Sequence, residues 1–228
     1  MTQEMIFKVT PSGLDYALKC KRCLWLSYRG IKLDAFFPPI FNSFDLIQKK
    51  FLTTQSVKLM SGSLPDGRIM TELNGFVGSS PLKDNKGRSF LINGKTDIVI
   101  EFKTNPKKYG IIDLKTTKIS PSKTENYKLQ LESYATIFEN PNSKTPKFSN
   151  IEELGLYLFE PREIKKISEG SCDMKFETLY VKGNRCHKDL IKRVTDIIDI
   201  FLMEKPPDYN LTCSSCKFIV SLKKEKYI

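Results

Sequence analysis

Two acidic side chains and a lysine carry the sharpest chemistry in this sequence. In Ile111-Ile112-Asp113-Leu114-Lys115 an apolar run is interrupted at alternate positions. In a β-strand Asp113 and Lys115 therefore project from one face. A second strand-like run, Thr96 to Phe102, carries Asp97. Asn105-Pro106 between the runs is a turn signal. A hairpin centred on Asn105 places opposite each other residues whose numbers sum to 210, which pairs Asp97 with Asp113. Directly opposed residues hold their Cβ atoms roughly 4.5–5.5 Å apart on the same side. Two carboxylates and an ammonium then converge on one patch, and a one-residue slip would turn Asp97 away from it.

Carboxylates that close repel unless a cation lies between them. Hard oxygen ligands with open positions suit Mg²⁺ or Mn²⁺. Such an ion activates a water and neutralises charge developing on a phosphate. Lys115 could orient that water or stabilise the transition state. The plainer reading is an exposed cross-strand salt bridge joining Lys115 to Asp113 or Asp97, a common and weak interaction.

The elements that must position these groups are legible in outline. A helix opens at Thr10-Pro11-Ser12, with Ser12 as cap and Asp15 three residues on. It runs through Leu14, Ala17, Leu18, Leu24 and Trp25, carries Cys20 and Cys23 at i, i+3, and ends at Gly30. Phe36-Phe37-Pro38-Pro39 reads as a rigid extended connection. Asn42 to Phe51 is a second helix, with Phe41, Phe44, Ile47 and Phe51 as its apolar spacing. Residues 61–67 and 83–88 are turn-rich. Strands follow at Phe90–Ile92, Thr96–Phe102 and Tyr109–Thr117, then a helix from Tyr127 to Glu139. Two further strands, Leu154–Phe159 and Phe176–Val181, flank a charged loop. His187 to Glu204 is an amphipathic helix stopped by Pro206-Pro207, and a tail with a basic end, Lys223 to Lys226, follows.

Taken in series, Gly94-Lys95-Thr96-Asp97, Asp113-Leu114-Lys115 and Gln130-Leu131-Glu132-Ser133-Tyr134 resemble the G-x-x-D, D-x-K and Q-x-x-x-Y motifs of RecB-like nucleases of the PD-(D/E)XK superfamily. The resemblance covers residues 90–135 well and the rest of the chain less. It implies an α/β fold, a restriction-endonuclease-like core with a mixed central sheet flanked by helices. It implies that Asp97, Asp113 and the main-chain carbonyl of Leu114 hold the metal and that Lys115 is catalytic. Gln130 and Tyr134 share one helix face at i, i+4, and by resemblance support substrate and site. Many such relatives carry a His or Glu ligand on the first core helix. Here no histidine stands there, and Asp45 is the nearest substitute.

Of six cysteines, four form two C-x-x-C pairs, Cys20/Cys23 and Cys213/Cys216. Four thiolates are the usual set for Zn²⁺ or a [4Fe–4S] cluster, and either would tie the N-terminal helix to the C-terminal tail. A subset of RecB-like nucleases, CRISPR-associated and helicase-nuclease proteins among them, resembles this layout and holds an iron–sulfur cluster. Those relatives place one cysteine before the core and three after it, whereas this chain shows two and two. The expectation is [4Fe–4S], with Zn²⁺ as the alternative and Cys186 as an alternative fourth ligand. Cys172 reads as an ordinary thiol.

The chain of 228 residues carries a net charge of +11, which favours polyanionic partners. On the polar side of the 187–204 helix, Lys188, Lys192 and Arg193 could track a nucleic-acid backbone, and Trp25 or Tyr28 could stack on bases. No apolar run approaches the roughly 18 residues that span a membrane. Met1 to Thr10 has no signal-peptide pattern, so the expectation is an intracellular, cytoplasmic protein without membrane partners. Gly94-Lys95-Thr96 lacks the upstream glycine of a P-loop, because position 89 is serine, and a strand rather than a helix should follow it.

One nuclease domain is therefore expected over 1–228: cysteine-bearing flanks at 1–35 and 205–228, and a nuclease core at 36–204. Its expected activity is metal-dependent hydrolysis of DNA, exonucleolytic and on single strands or free ends, in repair, recombination or CRISPR adaptation. A helicase or CRISPR-adaptation protein is the expected partner. The alternative is a non-catalytic nucleic-acid-binding module built around a four-cysteine zinc site.

Overall fold

Strand β1 (Ile6–Val9) runs parallel to β5 (Ser89–Lys95), and the short strands β3 (Phe76–Gly78) and β4 (Leu82–Lys83) pair antiparallel with β5. The larger sheet is five-stranded and mixed. Its order is β2 (Gly67–Ile69), β6 (Ile98–Phe102), β7 (Tyr109–Thr116), β8 (Ile151–Ser168), β9 (Ser171–Gly183). Only β7 and β8 run parallel there, joined through helix α4 (Lys123–Glu139). This computed structural model describes residues 5–31, 38–73, 75–120 and 123–225, with the backbone alone at 15–18, 123–124 and 126. The contacts expected of Asp15, Ala17 and Leu18, the Phe36-Phe37 part of the extended connection, and Lys226 lie outside what is described.

The β6–β7 register is the expected one. Ile98 opposes Ile112 and Val99 opposes Ile111, so continuing it by one residue brings Asp97 opposite Asp113. Alternation along β7 divides two cores. Ile111 packs with Leu131, Ala135 and Phe138 of α4 and with Val194 and Ile198 of α5 (His187–Leu202). Ile112 and Leu114 pack on the opposite face with Leu52 of α3 (Ile40–Thr53), Val57, Met60 and Tyr157. Asp113 and Lys115 thus face the α4 side.

Several local expectations are corrected. The first helix is two: α1 (Pro11–Lys19) and α2 (Lys21–Tyr28), broken at Cys20, whose extended backbone makes it the cap of α2. The Cys20 Sγ accepts the amide of Cys23 at 3.4 Å. Proline at the first helical position makes Thr10, not Ser12, the cap of α1, and the amide of Gly13 donates to Thr10 Oγ1 at 3.0 Å. Gly30, at φ +81°, follows α2 in the left-handed conformation that glycine adopts without cost.

Helix α3 buries Gln48, Lys49 and Leu52, while Phe41, Ile47 and Phe51 are exposed. Its apolar spacing marked the wrong face, because the face turned inward meets charged groups. The charged loop expected between Phe159 and Phe176 is instead a continuous β8–β9 ribbon, paired out to Ser168 and Ser171. It is solvated on both faces, so it lacks the half-buried alternation that marks a strand. Strand β1 and the C-terminal helix α6 (Ser214–Lys224) were also unforeseen. Among the described residues, no helix is long and apolar enough to cross a membrane.

Candidate active site and cysteine centre

Asp97 occupies the joint between β5 and β6, and its Oδ2 accepts the amide of Leu114 at 2.9 Å. That bond fixes the carboxylate against β7. An amide and carbonyl of one residue leave an extended strand on the same edge, so the Leu114 carbonyl faces the Asp97 edge too. Asp113 is only 2% exposed, which excludes the surface salt bridge of the plainer reading. Its Oδ1 accepts Gln130 Nε2 at 2.9 Å, and Lys115 Nζ lies 2.5 Å from Oδ2. The Lys115 contact falls outside hydrogen-bond geometry, so Oδ2 is buried without a hydrogen-bond partner.

Burial raises the Asp113 pKa most; Lys115 lowers it, and the nearby Asp97 charge raises it again, leaving it pushed up to about 6. Lys115 is also held above its usual value. Burial alone would depress it, and the Asp113 charge more than offsets that. The Lys115 ammonium lies 4.9 Å from the centre of the Tyr127 ring, a cation–π distance.

Helix α4 supplies the second wall. Gln130 reaches both Asp113 and, at 3.5 Å, the Tyr134 hydroxyl. Tyr134 donates to the carbonyl of Lys95 at 2.7 Å, and burial raises its pKa. Gly94 is required by this packing: a Cβ there would meet the Pro11 ring at 2.8 Å and Tyr134 at 3.0 Å.

Lys49 of α3 was not anticipated. Its ammonium lies 2.8 Å from Asp97 Oδ1 and 2.8 Å from Asp45 Oδ1. Asp45 is therefore linked to Asp97 through Lys49. Next to it, Gln48 donates to Thr116 Oγ1 at 2.8 Å. In the sequence, Lys49-Lys50 reads as a solvated basic pair. No spacing signal separates it from the chain's other lysines.

A divalent ion fits this donor set. The Asp97 and Asp113 charges act on each other, Asp113 Oδ2 is buried with the Lys115 ammonium beside it and no hydrogen bond, and a main-chain carbonyl faces the same edge. Such hard oxygen donors suit Mg²⁺ or Mn²⁺.

The four cysteines meet in a cluster of their own. Cys20 Sγ lies 3.5 Å from Cys216 Sγ, and Cys23 Sγ lies 3.6 Å from Cys213 and 4.0 Å from Cys216. All four sulfurs lie within 4.8 Å of one another. The centre joins the loop before α2 to the start of α6, and three further contacts fasten the same seam. Arg22 lies 3.8 Å over the Tyr209 ring and donates to Pro207 O, and Asn210 donates to Lys19 O. Burial raises the Cys20 and Cys23 thiols. The Cys216 amide chiefly holds Cys213 down at about 7. Cys186 is elsewhere: its thiol donates to Lys128 O, and it is not one of the four clustered cysteines.

Trp25 cannot stack on a base. Arg29 covers its ring at 3.6 Å, and its indole N–H donates to Met203 O. Tyr28 is stacked on Phe201 at 4.0 Å. On α5, Lys192 is paired with Asp196 at 3.0 Å.

The family model for the PD-(D/E)XK nuclease superfamily matches residues 52–220, well over half of the chain. No curated protein matches the sequence. Among solved structures, the chain is similar to the "Crystal structure of SSO0001", at a TM-score of 0.52 and 14% identity, over 96% of this chain and 86% of that one. At that identity the likeness is one of fold.

Proposed function

The chain belongs to the PD-(D/E)XK nuclease superfamily, and from that premise we propose that it is a RecB-like deoxyribonuclease, cutting DNA exonucleolytically at single strands or free ends. The single observation that supports this most is the meeting of Asp97, Asp113 and Lys115 at the β6–β7 register, with Gln130 bonded to the buried Asp113. The superfamily uses divalent metals. Asp97, Asp113 and the Leu114 carbonyl would hold the ion. When bound, it supplies a Lewis acid for the scissile phosphate and a lowered pKa for an attacking water.

The protein's own groups do the rest. Gln130 fixes the rotamer of Asp113, and the Leu114 amide fixes that of Asp97. Lys115 places a positive charge where negative charge grows on the phosphate in the transition state. The Asp113 carboxylate beside it favours its charged form, in keeping with a role as an electrostatic stabiliser. The net charge of +11 supports a polyanionic substrate.

For the cysteine centre we infer a structural metal site. The family resemblance favours [4Fe–4S]. A specific observation favours a second reading: three of the six sulfur separations are 3.5–4.0 Å and all lie within 4.8 Å, nearer to the roughly 3.8 Å edge of a tetrahedron of thiolates at about 2.3 Å around one Zn²⁺. A four-iron cluster needs its thiolates spread further apart. An absorbance spectrum of anaerobically purified protein decides between them. A broad band at roughly 400 nm marks the cluster, and a colourless, zinc-loaded protein marks the ion.

The test of function is cleavage of end-labelled single-stranded DNA by the purified chain with Mn²⁺, with EDTA, and by Asp113→Ala. Cleavage that needs Mn²⁺ and Asp113, with DNA binding retained by the variant, supports the reading. Retention of DNA binding with no cleavage by the wild-type chain would favour a non-catalytic binding module. Activity appearing only with a helicase or a CRISPR-adaptation protein would place the site inside a larger assembly.

A further inference from the structure

Lys49 is a charged side chain only 9% exposed, and it lies beside the carboxylates proposed to hold the metal. Its ammonium contacts Asp97 Oδ1 at 2.8 Å and both Asp45 oxygens at 2.8 and 2.9 Å. The Asp97 Oδ2 accepts the Leu114 amide and keeps one lone pair. Oδ1 is the oxygen free of the strand, and Lys49 is bonded to it, so a cation approaching Asp97 meets the ammonium beside it. The lysine is not held there by accident of exposure. Helix α3 is anchored by Leu52 against Ile98, Ile112 and Leu114, and by the bond from Gln48 to Thr116. These contacts fix the helix face that points Lys49 inward.

We propose that Lys49 is a resident counter-ion of the carboxylate site, competing with the divalent ion for Asp97 and thereby setting the affinity and ion preference of the centre. This rests on the metal-site reading given above. The charges make the competition quantitative. Asp45, Asp97 and Asp113 carry three negative charges, and Lys49 and Lys115 carry two positive ones. A dication added to that set meets a site already largely neutralised. Lys49 must give up Asp97 or share it, and Asp45 is the partner onto which it can withdraw. Asp45 is then not a metal ligand but the holder of the displaced lysine. Lys49 is on this account a positioning residue, acting on the ion through Asp97.

The test is Mn²⁺ binding by isothermal titration calorimetry, with thermal melting in EDTA and in Mn²⁺, on wild type, Lys49→Met, Lys49→Arg and Asp113→Ala. Removing one positive charge within a few ångströms of a dication should tighten binding by about tenfold or more. Lys49→Met should also melt lower than wild type in EDTA and recover most of the difference in Mn²⁺. Lys49→Arg, which keeps the charge, should stay near wild type and shows that position 49 tolerates replacement. Equal or weaker Mn²⁺ binding by Lys49→Met, with Asp113→Ala still abolishing it, overturns the counter-ion role and leaves the metal site standing. If Asp113→Ala binds Mn²⁺ as well as wild type does, the metal site itself fails and the proposal falls with it.

Discussion

Gln130 on α4 donates to Asp113 on β7 at 2.9 Å, in a buried bond that joins helix to sheet at the carboxylate site. One side chain thus fixes both the rotamer of Asp113 and the approach of α4. Gln130→Leu leaves Asp113 Oδ1 without that bond, at a cost of about 1–3 kcal/mol. A residue that orients a metal ligand typically affects activity by about 10- to 100-fold. Cleavage by Gln130→Leu should fall within that range while DNA binding, followed by gel shift, is unchanged.

Glu132, two residues on, is fully buried and accepts Arg185 Nε and Nη2 at 2.9 and 3.0 Å and the Cys186 amide at 2.8 Å. Arg185 also holds Glu139. Removing the cation leaves a buried charge uncompensated, which costs about 3–5 kcal/mol. Arg185→Ala should therefore lower the denaturation midpoint strongly. Converting Glu132 to Gln in the same chain should recover part of the loss, as a double-mutant cycle would measure.

The turn before β5 is clamped to α5 through charges that set an acid limit on stability. Burial alone would raise the Asp84 pKa. Bonds from the Arg88 guanidinium and from the amides of Arg88 and Lys86 outweigh it and hold the carboxyl below its usual range. Asp199, bonded by Lys86 and Arg88, is lowered too. A folded-state pKa below the unfolded one means stability that is present above about pH 4 and lost as pH falls through the folded value. Melting temperature should drop more steeply below pH 4 in wild type than in Asp84→Asn. The variant should start lower at neutral pH.

Cys23 contacts two of the other three sulfurs of the centre that fastens α2 to α6. Metal binding at such a site is coupled to folding. Cys23→Ser should lower bound metal per chain, measured by elemental analysis, and lower the melting temperature. It should also expose the segment after Pro207 to limited proteolysis. Unchanged metal content would show that the four thiols are not ligands.

The register of β6 and β7 was legible because charges interrupting an apolar run are rare and a turn signal fixed the centre of symmetry. Gln130 and Tyr134 stood out through the resemblance to the Q-x-x-x-Y motif, since i, i+4 spacing alone is that of any helix surface. Lys49 was not, since its role depends on which face of α3 turns inward. That face was set by the tertiary context of Asp97 and not by apolar periodicity, which pointed to Phe41, Ile47 and Phe51. The break at Cys20 escaped notice because C-x-x-C fits a continuous helix as well as a cap followed by a first turn. The outer β8–β9 ribbon escaped because a two-stranded hairpin with both faces in water has no hydrophobic alternation to read.

The proposed reaction requires a divalent ion held between Asp97 and Asp113. Anomalous diffraction from a crystal soaked in Mn²⁺ locates such an ion directly. One peak is expected within about 2.0–2.3 Å of an oxygen of Asp97, an oxygen of Asp113 and the Leu114 carbonyl, in line with hard-cation ligand distances. A crystal that binds Mn²⁺ only at other carboxylates, with Asp113 still hydrogen-bonded to Gln130 and ion-paired with Lys115 alone, would contradict it.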